Sequence, residues 1–228
     1  MSKNYYRHGM KEGWIFDNLY VVVHKELNNN SFIYIQDKKA IIIDPSFNSN
    51  AIINFLTKHK AKPLAILITH GHYDHTGESH AIKDKFKDCH VYLQNEDLKI
   101  KKNSSTIDYE FFDDTYRFAE EGITGFNKKL PVIDPKIKVS VFSSPGHTPG
   151  SVCYVIDNYV FTGDLIFADT IGRSDFRYSD SVLMQDSLKR FVTEFKDQGF
   201  WLFPGHDKWC EVDKLKQLNS FVKKYFIK

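Results

Sequence analysis

The sequence predicts an α/β protein in which helices pack outside a sheet that is at least partly parallel. Two apolar strands, Ala40–Ile43 and Leu64–Ile68, are separated by a helical pattern that places Ile52, Ile53 and Leu56 on one face. A helix between two strands indicates a crossover connection of the parallel kind, because antiparallel neighbours need only a short turn. The strands that precede this pair read as an antiparallel meander, so only part of the sheet is expected to be parallel.

Length and composition predict one domain over residues 1-228. With 42% hydrophobic and 15% aromatic residues, the chain can bury a substantial core. It carries 31 lysine and arginine residues against 29 aspartate and glutamate residues, and the net charge of +2 gives no field for a polyanion. We therefore expect no nucleic-acid partner. Nothing in the composition indicates an oligomeric state.

The lack of a recognisable targeting signal and the pattern of cysteines favour a cytoplasmic protein with no membrane partner. The first residues lack the apolar core of a signal peptide, and no apolar run is long enough to span a bilayer. Cys89, Cys153 and Cys210 are odd in number and widely separated, and none belongs to a C-x-x-C pair. Neither a disulfide framework nor a thiolate zinc site is therefore expected, and a reducing compartment fits.

The first half of the chain begins with the antiparallel meander. Strands Leu19–Val23 and Ser31–Gln36 lead into Ala40–Ile43, with turn residues at 28–30 and 37–38. The third strand stops at Asp44, and the crossover helix ends before Pro63. The later elements predicted in this half are a helix from Gly77 to Asp88, a strand at His90–Leu93 and a helix that starts near Asn95.

Residues 102–130 combine aromatic and acidic side chains. A helix that packs an aromatic stripe on the core is the simpler interpretation, because such stripes usually mark a buried face. An aromatic lid over a site is the alternative. The aromatic residues concerned are Tyr109, Phe111, Phe112, Tyr116 and Phe118.

The second half of the sequence predicts four more strands and two further helices. A helix is expected after the cap candidates Ser179 and Asp180, with Val182, Leu183 and the apolar residues up to Phe195 on one face. A C-terminal helix is expected from the apolar spacing between residues 212 and 226. The strands are Ile137–Phe142, Val152–Ile156, Tyr159–Phe161 and Phe200–Phe203.

The segment Thr69–His75 follows an apolar strand and contains four side chains that can bind a metal. An extended backbone points His70 and His72 in the same direction, whereas Asp74 and His75 lie where the chain turns toward a helix. Histidines near a strand end can also be ordinary surface residues. The fuller His-x-His-x-Asp-His pattern favours metal binding, and one short segment can serve two neighbouring metal positions.

Three later strands end in glycine, and the next residue is a histidine or an aspartate. Glycine lets the backbone turn sharply and approach a site closely. The three residues presented in this way are His147, Asp164 and His206. Together with the earlier motif they form two groups of donors: His70, His72 and His147 at one position, and Asp74, His75 and His206 at another, with Asp164 able to bridge them.

All of these donors are nitrogen or oxygen atoms. Zinc, iron and manganese all accept imidazole with carboxylate, so softness does not select one metal. Two divalent cations about 3.5–4 Å apart can hold a bridging hydroxide at neutral pH and polarise a carbonyl oxygen. The pattern therefore predicts a hydrolytic centre without a protein nucleophile.

These motifs resemble those of the metallo-β-lactamase superfamily. Thr69–His75 is similar to its signature loop, and His147, Asp164 and His206 stand where its remaining ligands are expected. Residues 145–151, Pro-Gly-His-Thr-Pro-Gly-Ser, and the stretch from Gly163 to Phe176 resemble the short glyoxalase II-like (hydroxyacylglutathione hydrolase-like) group. The resemblance extends from about residue 20 to residue 209. It implies a four-layer αββα sandwich of two mixed β-sheets flanked by helices, with metals at one sheet edge.

The resemblance also implies an activity. It predicts a binuclear metal-dependent hydrolase that cleaves a thioester, such as a hydroxyacylglutathione, through a metal-bound hydroxide, with Asp74 and Asp164 as catalytic carboxylates. Two divalent ions are expected, with zinc the first choice and iron or manganese as alternatives. Full-length glyoxalase II has an additional C-terminal helical region that binds glutathione, whereas this chain has one predicted helix after His206. The glutathione part of the substrate therefore stays open.

Four further residues are assigned on the same basis. Arg173 either binds a substrate carboxylate or pairs with Asp175 to hold the loop beside the metals, and an arginine fork commonly locks loops in this way. Tyr73 either donates a hydrogen bond to substrate or fills space. Asp44 either supports the metal ligands from behind or serves as a helix cap or turn carboxylate. Asp175 is likewise expected to support the ligands.

Other functions share these motifs. A persulfide dioxygenase with a single iron is the nearest alternative, since that family is similar in the signature loop and in the Gly-Arg-x-Asp-Phe segment. Lactonases and nucleases of the same superfamily follow. A metal-binding interaction domain without catalysis is the alternative from a different class, and loss of ligands would be expected for it, whereas all the donors are present here.

Overall fold

Two mixed β-sheets face each other in the computed structural model, which describes residues 11–103 and 122–226. The first sheet has strand order β1-β2-β3-β4-β5-β6-β7, antiparallel from β1 to β4 and parallel from β4 to β7. Its strands are β1 Glu12–Phe16, β2 Leu19–Val23, β3 Asn30–Gln36, β4 Lys39–Ile43, β5 Lys62–Leu67, β6 His90–Gln94 and β7 Ile123–Phe126.

The second sheet has strand order β12-β11-β10-β9-β8 and a single parallel pair, β10 with β11. Its strands are β8 Val139–Ser143, β9 Val152–Ile156, β10 Tyr159–Gly163, β11 Trp201–Pro204 and β12 Cys210–Glu211. The helices are α1 Ser49–His59, α2 Tyr73–Thr76, α3 Ser79–Lys85, α4 Asn95–Asn103, α5 Ser181–Phe195 and α6 Leu215–Leu218, with 3-10 turns at Val212–Lys214 and Lys223–Tyr225.

Three buried clusters correspond to the three spaces between four layers. Phe32 and Ile43 of the first sheet meet Phe161 and Phe203 of the second in the central cluster. On the outside of the first sheet, residues of α1, α3 and α4 pack on its other face. On the outside of the second, α5 packs against β9, β10 and β11. The predicted αββα sandwich with two mixed sheets is therefore confirmed.

Most of the predicted elements are present, and the boundaries of β2 and β9 match the prediction. Asp180 caps α5, and its carboxylate accepts hydrogen bonds from the backbone N–H groups of Val182 and Leu183. The side chains of Val182 and Leu183 are 77% and 44% exposed, so the prediction that they share one face with the apolar residues up to Phe195 was wrong. They lie off the stripe on which Met184, Leu188, Phe191, Val192 and Phe195 are buried.

Of two helix predictions, one is confirmed in shortened form and one was wrong. The helix predicted from Gly77 to Asp88 is present as α3, and the residue before it, Glu78, donates its N–H to the carbonyl of Ser46. The predicted C-terminal helix is reduced to α6 and two 3-10 turns. It breaks at Asn219, whose backbone is extended and whose side chain donates to the carbonyls of Phe167 and Thr170.

The long segment at residues 102–130 is only partly described. The aromatic stripe or lid predicted there lies between residues 109 and 118, outside the described residues. Its described end forms β7, an edge strand that the sequence reasoning missed, as it missed β1. Among residues 11–103 and 122–226, no helix combines the length and apolar character that crossing a membrane requires.

Candidate metal centre

The signature segment leaves β5 as an extended strand end and turns into α2. His72 still has extended backbone angles and stands immediately before that helix, while Tyr73, Asp74 and His75 form its first turn. This change from strand to helix is why one short segment delivers side chains to two places. The other donors follow β8, β10 and β11 of the second sheet, as the glycine-terminated strands predicted.

Three histidines converge at the first place, which we call the imidazole position: His70, His72 and His147. The Nε2 atom of His70 lies 3.1 Å from Nδ1 of His72, and Nε2 of His147 lies 2.9 Å from the same Nδ1. Their potential ligand atoms all lie within 4.8 Å of one another. Three imidazole nitrogens with a common focus are a ligand set typical of zinc and related divalent ions.

Asp74, His75 and His206 converge at the second place, which we call the mixed position. The Oδ2 atom of Asp74 lies 3.1 Å from Nε2 of His206 and 3.7 Å from Nε2 of His75. These donors also lie within 4.8 Å of one another. This position therefore combines a carboxylate with two imidazoles.

Asp164 connects the two positions. Its Oδ2 lies 3.5 Å from Nε2 of His147 and 3.6 Å from Nε2 of His206, and its Oδ1 lies 3.3 Å from Nε2 of His75. A single carboxylate thus contacts a histidine of the imidazole position and both histidines of the mixed position. All seven predicted donors are brought together in this way.

Outer hydrogen bonds fix the orientation of four of the five rings. His147 donates from Nδ1 to the carbonyl of Arg173 at 2.7 Å, and His206 donates from Nδ1 to the carbonyl of Leu27 at 3.0 Å. His75 donates from Nδ1 to Asp44 at 2.9 Å. The Nδ1 of His70 lies 3.1 Å from the hydroxyl of Thr69, which itself donates to Asp44. In a neutral ring, a proton on Nδ1 leaves the lone pair of Nε2 facing the centre. Hydrogen bonds of this kind fix the tautomer and the ring orientation of histidines that bind metals in proteins.

The two positions have opposite electrostatics. Burial lowers the pKa of His70 well below its ordinary value, and neighbouring imidazoles lower it further. Burial and the nearby His147 lower the pKa of His72 to about 3. These rings are therefore neutral at physiological pH, and neutral imidazole is the form that coordinates a metal.

At the mixed position the carboxylates reverse the effect of burial. Burial lowers the pKa of His75, but Asp74, Asp164 and Asp44 raise it well above the ordinary value. The pKa of His206 is raised to about 9, against burial, chiefly by the charge of Asp164. In turn His75 and His206 lower the pKa values of Asp74 and Asp164, although burial alone would raise them. The carboxylates are therefore ionised.

The centre has the features that a bound cation requires. Nε2 of His75 and Oδ1 of Asp164 are buried without an aligned hydrogen bond, although they face each other at 3.3 Å. A buried polar atom without a partner is costly, and a cation would satisfy both atoms. Gly205 lies against them, and any Cβ at that residue would collide with the ring of His75 and with Asp164. These residues fit a divalent metal.

Asp44 lies behind the ligands and does not cap a helix. It accepts hydrogen bonds from the backbone N–H and the hydroxyl of Thr69, at 2.8 and 2.7 Å, and from His75 at 2.9 Å. The residue before α1 is Asn48, so the helix-cap alternative does not apply. The geometry favours the interpretation in which Asp44 supports the ligands.

The other predicted residues lie further from the donors. Arg173 forms a double hydrogen bond with Asp175, with both distances 2.9 Å, and the two side chains are 63% and 66% exposed. The Arg173 guanidinium also lies 4.5 Å from the centre of the Phe176 ring. Asp175 therefore contacts Arg173 rather than a candidate ligand. Tyr73 is buried, with its ring centre 4.9 Å from that of Phe47, which favours packing.

Two supporting residues were missed by the sequence reasoning. Asp97, in α4, accepts hydrogen bonds from Gly71, Thr148 and Gly150. Burial raises its pKa, and these hydrogen bonds oppose the rise. Asn29, just before β3, donates to the backbone carbonyl of Asp74 at 3.1 Å and to its carboxylate at 3.2 Å. Neither residue belongs to a spaced motif. The only local signal was a polar residue beside a strand or at a helix start.

A cleft opens beside the imidazole position. It encloses about 360 Å³, part of which is open to solvent. Phe176 forms one wall, and its ring packs edge-on against the rings of His72 and His147, with ring centres 5.5 and 5.8 Å apart. The lining residues are Gly71, His72, Asp97, Ile100, His147, Thr148, Phe176, Tyr178 and Ser179. A substrate in this cleft would reach the donors directly.

Several known proteins are similar to this chain in sequence or in fold. The probable metallo-hydrolase YqgX of Bacillus subtilis is 31% identical over 208 residues, which cover 84% of this chain and 93% of that protein. The hydroxyacylglutathione hydrolase GloC of Haemophilus influenzae is 27% identical over 209 residues, which cover 85% and 92%. The crystal structure of the BLEG-1 B3 metallo-beta-lactamase superposes with a TM-score of 0.79 at 27% identity, over 90% of this chain and 99% of that one.

A family model described as the metallo-beta-lactamase superfamily matches residues 24–206, a range that contains all seven converging donors. The match agrees with the two facing mixed sheets. It also confirms the resemblance inferred from the signature loop and from the residues that follow the later strands. The chain belongs to the metallo-beta-lactamase superfamily.

Proposed function

We propose that this chain is a binuclear metal-dependent hydrolase that cleaves a thioester. Membership of the superfamily and the seven converging donors support metal-dependent hydrolysis. The relative named hydroxyacylglutathione hydrolase supports a thioester, and a hydroxyacylglutathione is the first substrate to test. The observation that carries the proposal is Asp164, because its Oδ2 lies 3.5 Å from His147 and 3.6 Å from His206 and can be shared by two cations.

In this proposal the residues of the imidazole position and those of the mixed position would each hold one divalent ion, and the carboxylate of Asp164 would be available to both. Zinc is our first choice because the imidazole-rich donor set suits it, and iron or manganese fits the same atoms. When bound, such a pair of ions lowers the pKa of a water molecule and polarises the carbonyl oxygen of a substrate. The protein's own contribution is to orient the reactants.

Asp74 orients the attacking water in this proposal. Its Oδ2 is ionised and lies 3.1 Å from His206, so it can accept a hydrogen bond from a water molecule at the mixed position. The oxygen of water adds to the thioester carbon, the carbon–sulfur bond breaks, and the products are a carboxylate and a thiol. A simple thiol has a pKa near ~8.5, so the departing thiolate needs little help from a general acid. This explains how the centre could function without a dedicated acid.

The surrounding residues have supporting roles in the proposal. Phe176 and Tyr178 line the cleft and would pack against one arm of the substrate. Arg173, paired with Asp175, holds the loop whose carbonyl orients His147. We further propose that residues 1-228 form one domain that acts in the cytoplasm, since the free cysteines Cys89, Cys153 and Cys210 suit a reducing compartment.

The test combines metal analysis with assays of thioester hydrolysis, lactone hydrolysis and oxygen uptake on a persulfide, all on the same preparation. The proposal expects two metals per chain, hydrolysis of a thioester and no oxygen uptake on a persulfide. One iron per chain with oxygen uptake would instead establish the mononuclear dioxygenase. Hydrolysis of lactones without thioester cleavage would identify a lactonase. Metal binding without thioester hydrolysis, lactone hydrolysis or oxygen uptake would indicate a metal-binding interaction domain.

A further inference from the structure

Asp97 is a buried carboxylate that no motif marks, and the side-chain hydrogen bonds it forms with described residues all go to the loops that carry His70, His72 and His147. Its side chain accepts from the N–H of Gly71 at 2.7 Å and from the hydroxyl of Thr148 at 2.7 Å through Oδ2. Its Oδ1 accepts from the N–H of Gly150 at 2.6 Å. Asp97 is only 2% exposed, so its charge depends on these donors.

These donors belong to two separate segments of the chain. Gly71 lies between His70 and His72, whereas Thr148 and Gly150 directly follow His147. The two segments extend from different sheets, β5 in the first and β8 in the second. One carboxylate on α4 therefore connects both loops that supply the imidazole position.

The contact is too close to be incidental. A Cβ added to Gly150 would lie 2.5 Å from Oδ1 of Asp97 and 2.7 Å from its backbone nitrogen, so only glycine allows the loop to approach this near. Thr148 is also held from the other side, because its hydroxyl lies 2.7 Å from that of Ser151. The loop after β8 thus has a fixed docking point on α4.

We propose that Asp97 is a positioning residue that sets the distance between His147 and the His70–His72 pair, and hence the metal affinity of the imidazole position. The inference rests on the metal centre of the proposed function. Asp97 forms no hydrogen bond with any of the three rings among the described residues, so it acts through the backbone. Groups outside the ligand shell change metal affinity by about 10- to 100-fold when removed, because they fix the ligands in place.

Asn29 provides a matched comparison at the other position. Its amide contacts the backbone carbonyl and Oδ2 of Asp74, at 3.1 and 3.2 Å, and lies 3.3 Å from Nε2 of His206. It is 1% exposed, as buried as Asp97. Unlike those of Asp97, however, the side-chain contacts of Asn29 among the described residues reach only the mixed position. Loss of Asn29 should therefore affect the mixed position and leave the imidazole position unchanged.

The experiment isolates each position before changing its support. His206→Ala leaves the imidazole position intact, and His72→Ala leaves the mixed position intact. Asp97→Asn and Asn29→Ala are then introduced separately into both backgrounds. The dissociation constant for Zn²⁺ is measured by competition with a chromophoric chelator, and the absorption spectrum of Co²⁺ reports ligand geometry. Asp134→Asn is the stability control, since this buried carboxylate accepts from Lys39 and Lys136 away from the donors.

Asp97→Asn is expected to weaken Zn²⁺ binding about 10-fold or more in the His206→Ala background and to change the Co²⁺ spectrum there. In the His72→Ala background its effect should stay below about twofold, because none of its contacts reaches the mixed position. Asn29→Ala should show the reverse pattern. Unchanged affinity and an unchanged Co²⁺ spectrum in the Asp97→Asn, His206→Ala protein would overturn the inference. Equal losses in both backgrounds, matched by Asp134→Asn, would also overturn it, since they would indicate a general loss of stability.

A second pair of variants keeps the inference testable if Asp97→Asn does not fold. Thr148→Val removes one donor to Asp97, and Thr148→Ser restores the hydroxyl. In the His206→Ala background, the valine variant should bind Zn²⁺ more weakly and the serine variant should recover most of the affinity. Equal affinities for valine and serine would contradict the inference. Since no substrate is involved, a wild-type chain without thioesterase activity would refute the proposed function and leave this result unaffected.

Discussion

The two metal positions share the same kind of donor atoms but differ in charge. The imidazole position has three rings, and burial and neighbouring imidazoles lower the pKa values of two of them, His70 and His72, so that these two are neutral. The mixed position has an ionised carboxylate and two rings whose pKa values are raised by Asp74 and Asp164. A cation can therefore enter the first without displacing protons from His70 or His72, whereas at the second it must displace protons from His75 and His206.

The comparison shows that neighbouring carboxylates, rather than burial, determine this difference. His70 and His75 are both 1% exposed, yet their pKa values shift in opposite directions. His70 faces other imidazoles, and His75 lies among three carboxylates. Opposite charges within a few ångströms outweigh desolvation in such cases. The mixed position is therefore the more pH-sensitive half of the centre.

The largest effect is expected from Asp164→Ala, which removes the residue common to both positions. Without it neither ion retains a shared ligand, and kcat for a thioester should fall by more than about 10³-fold, as when a catalytic group is deleted in other hydrolases. Steady-state kinetics and metal analysis of the purified variant provide the measurement. A full rate with two metals still bound would show that Asp164 does not bridge.

The second largest effect is expected in metal affinity, which should depend on pH more steeply at the mixed position than at the imidazole position. At the mixed position, protons on His206, with its pKa of about 9, and on His75 must be released when a cation binds. Affinity there should fall as pH falls, by about tenfold per pH unit for each proton released. In the imidazole position, burial and neighbouring imidazoles lower the pKa of His72 to about 3 and also lower the pKa of His70, so neither ring adds to the slope near neutral pH.

Zn²⁺ affinity of the two single-position variants, measured between about pH 6 and pH 8, tests this difference. His72→Ala reports the mixed position and should show the steep slope. His206→Ala reports the imidazole position, and its slope should be shallower. Equal slopes would mean that carboxylate charge does not control proton release at the centre.

A smaller and unequal effect is expected from Asp44→Asn. The carboxylate accepts directly from His75, but it reaches His70 only through the hydroxyl of Thr69. We therefore expect about a tenfold loss of Zn²⁺ affinity at the mixed position and a lesser loss at the imidazole position. Chelator competition in the two single-position backgrounds measures both. A greater loss at the imidazole position would reverse the assigned role of Asp44.

The convergence of the seven candidate ligands could be predicted from sequence because each follows directly from local structure. His70, His72, Asp74 and His75 are close along the chain, and the other donors each follow a glycine at a strand end. Strand ends on one edge of a sandwich meet in space, so a local pattern defines a distant contact. The inner strands were predictable for the same reason, since they are short, apolar and clearly bounded, whereas the edge strands β1 and β7 were missed.

The supporting residues were not predictable in this way. Asp97 and Asn29 contact loops 26 and 45 residues away, and half of their side-chain contacts are to backbone groups that carry no sequence signal. The broken C-terminal helix has a similar cause. The side chain of Asn219 donates to the carbonyl of Phe167, so a tertiary hydrogen bond overrides a helical apolar pattern.

The smallest effect is expected from Asp175→Ala, which separates Arg173 from its only carboxylate partner among the described residues. The pair is exposed to solvent, and exposed ion pairs contribute little, so kcat/KM should change by less than about threefold. Arg173→Ala should also have a small effect, because the contact with His147 is made by its backbone carbonyl, which the substitution retains. The two variants, assayed side by side against a thioester, distinguish the roles left open for Arg173. A large increase in KM for Arg173→Ala alone would show that its guanidinium binds a substrate carboxylate, whereas equal small changes fit a loop held mainly by the 2.7 Å hydrogen bond from His147.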